Sequence, residues 1–197
     1  MPMDAKASEV LDFWFGETDS AVYGTERKEW FIKSDEFDET IRSRFGADVR
    51  GAIDGEFDHW AQASIPNRQT LALIVLLDQF PRNIYRNTGD MYAGDAKALA
   101  IAQAMVAAGR DVSLQPIERV FCYLPYEHSE ELTVQEESLR LFGQLVGQPA
   151  GGGFIEYAKA HHVIVERFGR FPHRNELLGR ESTEQEIAFL KEPGSSF

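Results

Sequence analysis

Apolar positions recur at helical spacing along almost the whole chain. Phe37, Ile41, Phe45, Val49 and Ile53 fall every fourth residue and make one apolar helix face. Ser34 precedes them as an N-cap, and Gly55 ends the run. Acids (Asp35, Glu36, Asp38, Glu39) come early in it and Arg42, Arg44 and Arg50 later, an order that suits the helix dipole. Upstream, Val10, Leu11, Phe13, Trp14 and Phe15 predict a core-facing helix over residues 8–15, with Ser8 as N-cap and Gly16 as the stop. Residues 19–24 read as a loop, Trp30 and Phe31 as part of a charged, helix-compatible segment, and residues 57–61 as a short helix carrying Trp60 and an exposed His59.

The most apolar stretch is residues 71–86, LALIVLLDQFPRNIYR. Pro66 suits its first turn, and Leu71, Leu73, Ile74, Leu76, Leu77 and Phe80 surround the helix, which implies burial on most sides. Pro81 removes a donor and predicts an end or kink at Phe80. Residues 87–90 read as a turn. Further helices are predicted over the alanine-rich residues 95–109, from Pro116 until Pro125 stops it, over residues 133–146, over residues 154–168 ending at Gly169, and over residues 182–190 with a capping-box-like start at Ser182. The tail, residues 192–197, is expected to fray. No run alternates as a strand should. The expectation is an all-α single domain, residues 1–197, with about eight or nine helices.

Charge and cysteine content narrow the classes. The net charge is −12, from 32 acids and 20 bases, which disfavours nucleic acid and anionic membranes as partners. Cys122 is the single cysteine; its setting, Val120-Phe121-Cys122-Tyr123-Leu124, reads as a buried structural thiol and fits a reducing compartment. The start, MPMDAKASEV, has no apolar signal region, and the apolar run 71–77 falls short of the roughly 20 residues a membrane span needs. A cytoplasmic protein is expected.

Candidate chemistry gathers after helix ends. Asp78, Arg82, Asn83 and Arg86 follow the central helix; Glu118, Arg119, Glu127 and His128 flank Tyr123-Leu124-Pro125; His161, His162, Glu166, Arg167, Arg170, His173, Arg174 and Asn175 lie around a second Phe-Pro corner, RFPHRN. Between Arg68 and Arg180 there are ten arginines and only two lysines. Arginine's planar fork grips carboxylate or phosphate with two bonds. One reading is an anion pocket built from Arg82, Arg86, Arg119, Arg167, Arg170 and Arg174. The other is that these arginines cap carbonyls and pair with Asp78, Glu118, Glu127 and Glu166. Four of the five histidines also fall in these clusters, so His128 with Glu127, His162 or His173 are candidates for acid–base work. His162 and Glu166 share a helix face and are the weak candidates for a metal, with His128 and Glu127 or Glu130 as further ligands. Adjacent His161 and His162 point about 100° apart, so they do not share one ion. No metal, nucleotide or hydrolase motif is present, and no cofactor is expected.

FWFG (13–16), LLDQFPRNIYR (76–86), YLPYEHSE (123–130), RFGRFPHRN (167–175) and LGRESTEQEIAFL (178–190) resemble the domain-of-unknown-function 924 family of bacterial proteins over nearly the whole chain. The resemblance implies a tetratricopeptide-like array of stacked antiparallel helices and carries no reaction. Three functions are open: a binding module whose arginines and histidines hold an anionic small molecule or an acidic peptide; a small-molecule enzyme with His/Glu acid–base chemistry on an anionic substrate; or a scaffold in which the polar clusters are structural. The aromatic-rich N-terminal helix could equally serve a homo-oligomer.

Overall fold

A computed structural model describes residues 2–196. Its helices are α1 (Ala5–Phe15), α2 (Asp35–Asp54), α3 (Asn67–Ile74), α4 (Phe80–Ile84), α5 (Asp95–Ala107), α6 (Pro116–Glu127), α7 (Leu132–Gly143), α8 (Phe154–Phe168) and α9 (Glu184–Phe189). Among the described residues there is no strand. None of these helices is long and apolar enough to cross a membrane.

Several boundaries differ from the sequence expectation. Helix α1 starts a turn early: Asp4 caps it by accepting the Lys6 N–H at 2.8 Å, and Ser8 lies inside, its hydroxyl donating to the Asp4 carbonyl. Thr183, not Ser182, caps α9, in a capping box with Glu186. The Ser34 cap and the left-handed Gly55 and Gly169 stops fall where expected. Trp30 sits in a 3-10 turn, Lys28–Trp30, where the last carbonyls of α1 determine its role. Arg27 donates to the Phe13 and Trp14 carbonyls at 2.6 and 2.8 Å, and the Trp30 indole donates to Trp14 at 3.0 Å, so orphan carbonyls at the helix end are satisfied.

At Pro81 the expected interruption takes the form of a π turn, whereas Pro125 does not stop its helix. After α3 the chain widens into a π turn, Val75–Gln79, in which the Phe80 N–H reaches back five residues to the Val75 carbonyl. This absorbs Pro81, and the helix resumes as α4. Residues Leu71–Leu77 are wholly buried, so packing holds the helix through the missing bond. Helix α6 likewise carries Pro125 inside it and runs on to Glu127. The ring costs one backbone bond, while burial of Val120–Tyr126 keeps the element intact.

The main core joins α1 to α6. Phe121 meets Phe15, Trp14 and Trp30 edge to face, with centroids 5.2, 5.7 and 4.7 Å away. A smaller cluster, Ile164, Val165, Phe171 and Phe189, binds the second Phe-Pro corner to α8 and α9. Cys122 is buried against Met105, and burial pushes its thiol well up, so it is a structural thiol. In the tail, Ser195 is buried and donates to the Leu190 carbonyl, while residue 197 lies outside the described residues.

Candidate functional site

Both Phe-Pro corners open on one cavity of about 460 Å³. The π turn and α4 supply Gln79, Arg82, Asn83 and Arg86; the end of α6 supplies Glu127 and His128; α8 supplies Phe154, Tyr157 and His161; the 3-10 turn Pro172–Arg174 supplies His173 and Arg174. Trp30, Phe31, Met91 and Tyr92 complete the apolar wall. A π turn inserts a residue and rotates the rest of the helix about its axis, a device common at functional sites. Here it turns Arg82 toward the cavity while Asp78 stays beneath, fully enclosed.

Asp78 is the buried anchor. Its carboxylate accepts from Gln79 at 2.5 Å and faces His128 Nδ1 at 2.7 Å; Arg82 Nη1 lies 3.6 Å away and donates to the Asp78 carbonyl. Burial opposes its ionisation, but His128 and Arg82 outweigh that and hold the carboxyl down to about 2. With Asp78 ionised, His128 Nδ1 carries the proton and donates, leaving Nε2 as the ring's acceptor. Burial and then the Arg82 charge lower His128 against the pull of Asp78, so the ring is neutral near pH 7.

Arg82 forks onto Asp95 at 2.8 and 3.0 Å, and Arg174 Nη1 stands 3.7 Å from the same carboxylate. Tyr92 lies under both guanidinium groups, at 5.8 and 4.6 Å. Burial and the Arg82 charge lower Arg174, which is 7 % exposed, and its Nε has no protein partner. Glu127, 2 % exposed, faces His161 Nδ1 at 3.1 Å through one oxygen and leaves the other without a partner. Burial, and then the Asp78 charge, raise the Glu127 carboxyl well above its ordinary range. Burial and His128 lower His161 to about 3; burial and Arg174 lower His173 to about 4.

Of the residues singled out from the sequence, Arg82, Asn83, Arg86, Glu127, His128, His173 and Arg174 line this cavity, and Asp78 supports it from below. Asn83 and Arg86 are also committed to Asp38, at 2.7 Å from Asn83 and at 2.7 and 2.9 Å from Arg86. The rest of the expected anion pocket lies elsewhere. Arg119 bonds Tyr123 and Gln144, Arg167 stacks over Phe168 and Phe189, and Arg170 forks onto Glu186. Asn175 ties the corner to Ser182 and Arg180. Helix phase puts His161 inward and His162 outside, with Glu166 exposed. Among the described residues no three His, Cys, Asp or Glu side chains group as metal ligands. Of the acids expected to pair with arginines, Asp78 meets Arg82 and Glu118 meets Arg68, whereas Glu127 meets a histidine.

Tyr92 and Asp95 are site residues that the sequence clusters did not contain, and His161 stood in the third cluster with no role assigned to it. His161 was legible: Phe154, Ala158, His161 and Val165 form the buried stripe of α8, and His162 falls off it. Tyr92 and Asp95 carry no local signal, since contacts distant in sequence bring them in.

Fold and site define an all-helical protein with a polar-floored, aromatic-walled cavity. The chain belongs to the family described as "Bacterial protein of unknown function (DUF924)", which matches residues 10–194. It is also similar to a solved protein of unknown function from Agrobacterium tumefaciens, with 37% identity, a TM-score of 0.81, and 95% of this chain and 97% of that one covered. No curated protein matches it.

Proposed function

We propose that this protein binds a small anionic molecule in the cavity between its two Phe-Pro corners. One observation carries the reading. Arg174 and Glu127, both nine-tenths or more buried, each leave a polar atom without a protein partner beside the same hollow. Buried polar groups are normally satisfied, so a ligand that completes these two is favoured. Arg174 would take the anionic group, and the Glu127 carboxyl, in its protonated form, would donate to a neutral oxygen. The volume, about 460 Å³, suits a metabolite-sized molecule better than a peptide. The apolar wall would take the rest of it.

Helices α5, α6, α7 and α8 each pack on the next, which supports reading the array as tetratricopeptide-like. The lone, buried Cys122 goes with a cytoplasmic setting. A thermal-shift series with phosphate, oxalate, citrate and 2-oxo acids tests the binding reading, since a ligand of the folded state raises its stability. Stabilisation by at least one of these anions, lost in Arg174→Gln, is expected. A chain that no anion stabilises would leave the polar clusters as scaffold only.

A further inference from the structure

The cavity holds a base and an acid side by side, and that pairing points past binding. His128 Nδ1 is committed to Asp78 at 2.7 Å, which fixes the tautomer and leaves Nε2 for the cavity that the ring lines. An imidazole oriented by a buried carboxylate is the arrangement of a general base. The next residue along the backbone, Glu127, lines the same cavity with one carboxyl oxygen unpartnered. The His161 ring neighbours both, with Nδ1 3.1 Å from the Glu127 carboxyl and its centroid 6.2 Å from that of His128. Arg174 supplies a cation, and Trp30, Phe31, Phe154 and Tyr157 an aromatic wall.

We propose that this cavity interconverts the keto and enol forms of a small 2-oxo acid with an aromatic side chain, His128 acting as base and Glu127 as acid. The inference rests on the anion-binding reading above. The substrate carboxylate pairs with Arg174, its ring lies on the aromatic wall, and its ketone oxygen meets the Glu127 carboxyl. His128 Nε2 takes a proton from the carbon beside the ketone. The C–H electron pair becomes the new C=C bond, the C=O π pair moves to oxygen, and that oxygen takes the Glu127 proton. Solvent then removes the proton on His128 and returns one to Glu127. Substrate and product are isomers, so no oxidant, reductant or co-substrate is needed. The surroundings shift the two groups in opposite senses, the base down and the acid up, as such a step requires. Asp78 is a positioning residue, because it acts through His128.

The test uses the full chain with phenylpyruvate as probe. Enol absorbance follows tautomerisation, and proton NMR in deuterium oxide follows exchange at the carbon beside the ketone. A thermal shift with the same probe reads binding separately. The wild-type chain is expected to accelerate both processes above the buffer rate. His128→Gln and the isosteric Glu127→Gln should each lose about 100-fold or more of that acceleration and still be stabilised by phenylpyruvate. Arg174→Gln should lose the stabilisation. Stabilisation of the wild type without acceleration overturns the catalytic inference and leaves the binding reading standing, as does stabilisation by another anion but not by phenylpyruvate. Stabilisation by no anion removes both. Acceleration that survives in His128→Gln removes His128 as the base.

Discussion

Arg82 and Arg174 share the carboxylate of Asp95, one through a two-bond fork at 2.8 and 3.0 Å and the other at 3.7 Å. Each comes from its own Phe-Pro corner, so Asp95 at the start of α5 joins two regions far apart in sequence. Like charges this close repel, and the shared anion offsets that repulsion. Asp95→Asn should therefore destabilise the fold by about 3 kcal/mol, because it removes the carboxylate that the two guanidinium groups share, although Arg82 keeps Asp78. Urea denaturation measures it; an unchanged midpoint would mean that the cations are relieved some other way.

The π turn depends on a glycine outside it. Pro81 offers no N–H to the Leu77 carbonyl, and Gly94 packs against that carbonyl so closely that an added Cβ would collide with it. Because the obstacle is backbone, a side-chain rotation cannot relieve it. Gly94→Ala is expected to cost about 3 kcal/mol, read as a lowered thermal midpoint. An unshifted midpoint would show that α5 can slide away from the π turn at little cost.

Two cavity histidines enter the fold neutral, His161 held to about 3 and His173 to about 4, burial being the largest cause for both. The unfolded chain protonates them near pH 6.5. Between pH 6.5 and 4 it binds more protons than the fold, so each ring lowers stability as pH falls, by about 1.4 kcal/mol per pH unit at most. The loss levels off below about 4 for His173 and 3 for His161. Glu127 acts with the opposite sign: its raised carboxyl makes protonation favour the fold, so its contribution grows as pH falls toward the ordinary carboxylate range. The histidine effect is therefore read as a difference. His173→Gln should show a shallower loss of stability from pH 6.5 to 4.5 than the wild type, and parallel curves would contradict the neutral ring.

Arginines outside the cavity separate site from scaffold. Arg170 ties Glu186 and the Glu181 carbonyl and so docks α9, whereas Arg167 only covers Phe168 and Phe189. Arg167→Ala should leave both stability and anion binding unchanged within error. Arg170→Gln should lower the thermal midpoint while the anion response of the folded chain persists. Loss of that response in Arg167→Ala would move the anion site to the far side of α8.

The sequence carried most of the helices, because apolar spacing, caps and glycine stops act within a few residues. It misplaced Pro125 and did not show how the chain passes Pro81. A proline's local cost is visible in sequence, whereas the burial that overrides it, Leu71–Leu77 around one and Val120–Tyr126 around the other, comes from other helices. The site was half legible for a related reason. Unusual polar residues after helix ends marked Arg82, His128 and Arg174, yet equally unusual Arg119 and Arg170 proved to be structural ties. Nothing local distinguishes an arginine facing a hollow from one facing a glutamate. Only helix phase could have done so, and it favours His161 over His162.

Calorimetric titration of the wild type and Arg174→Gln, with the anion that most raises the thermal midpoint, tests the anion site most directly. Saturable binding to the wild type is predicted, with at least a tenfold weaker association for the variant, which should remain folded by circular dichroism. Equal binding by the two proteins would contradict an anion site built on Arg174.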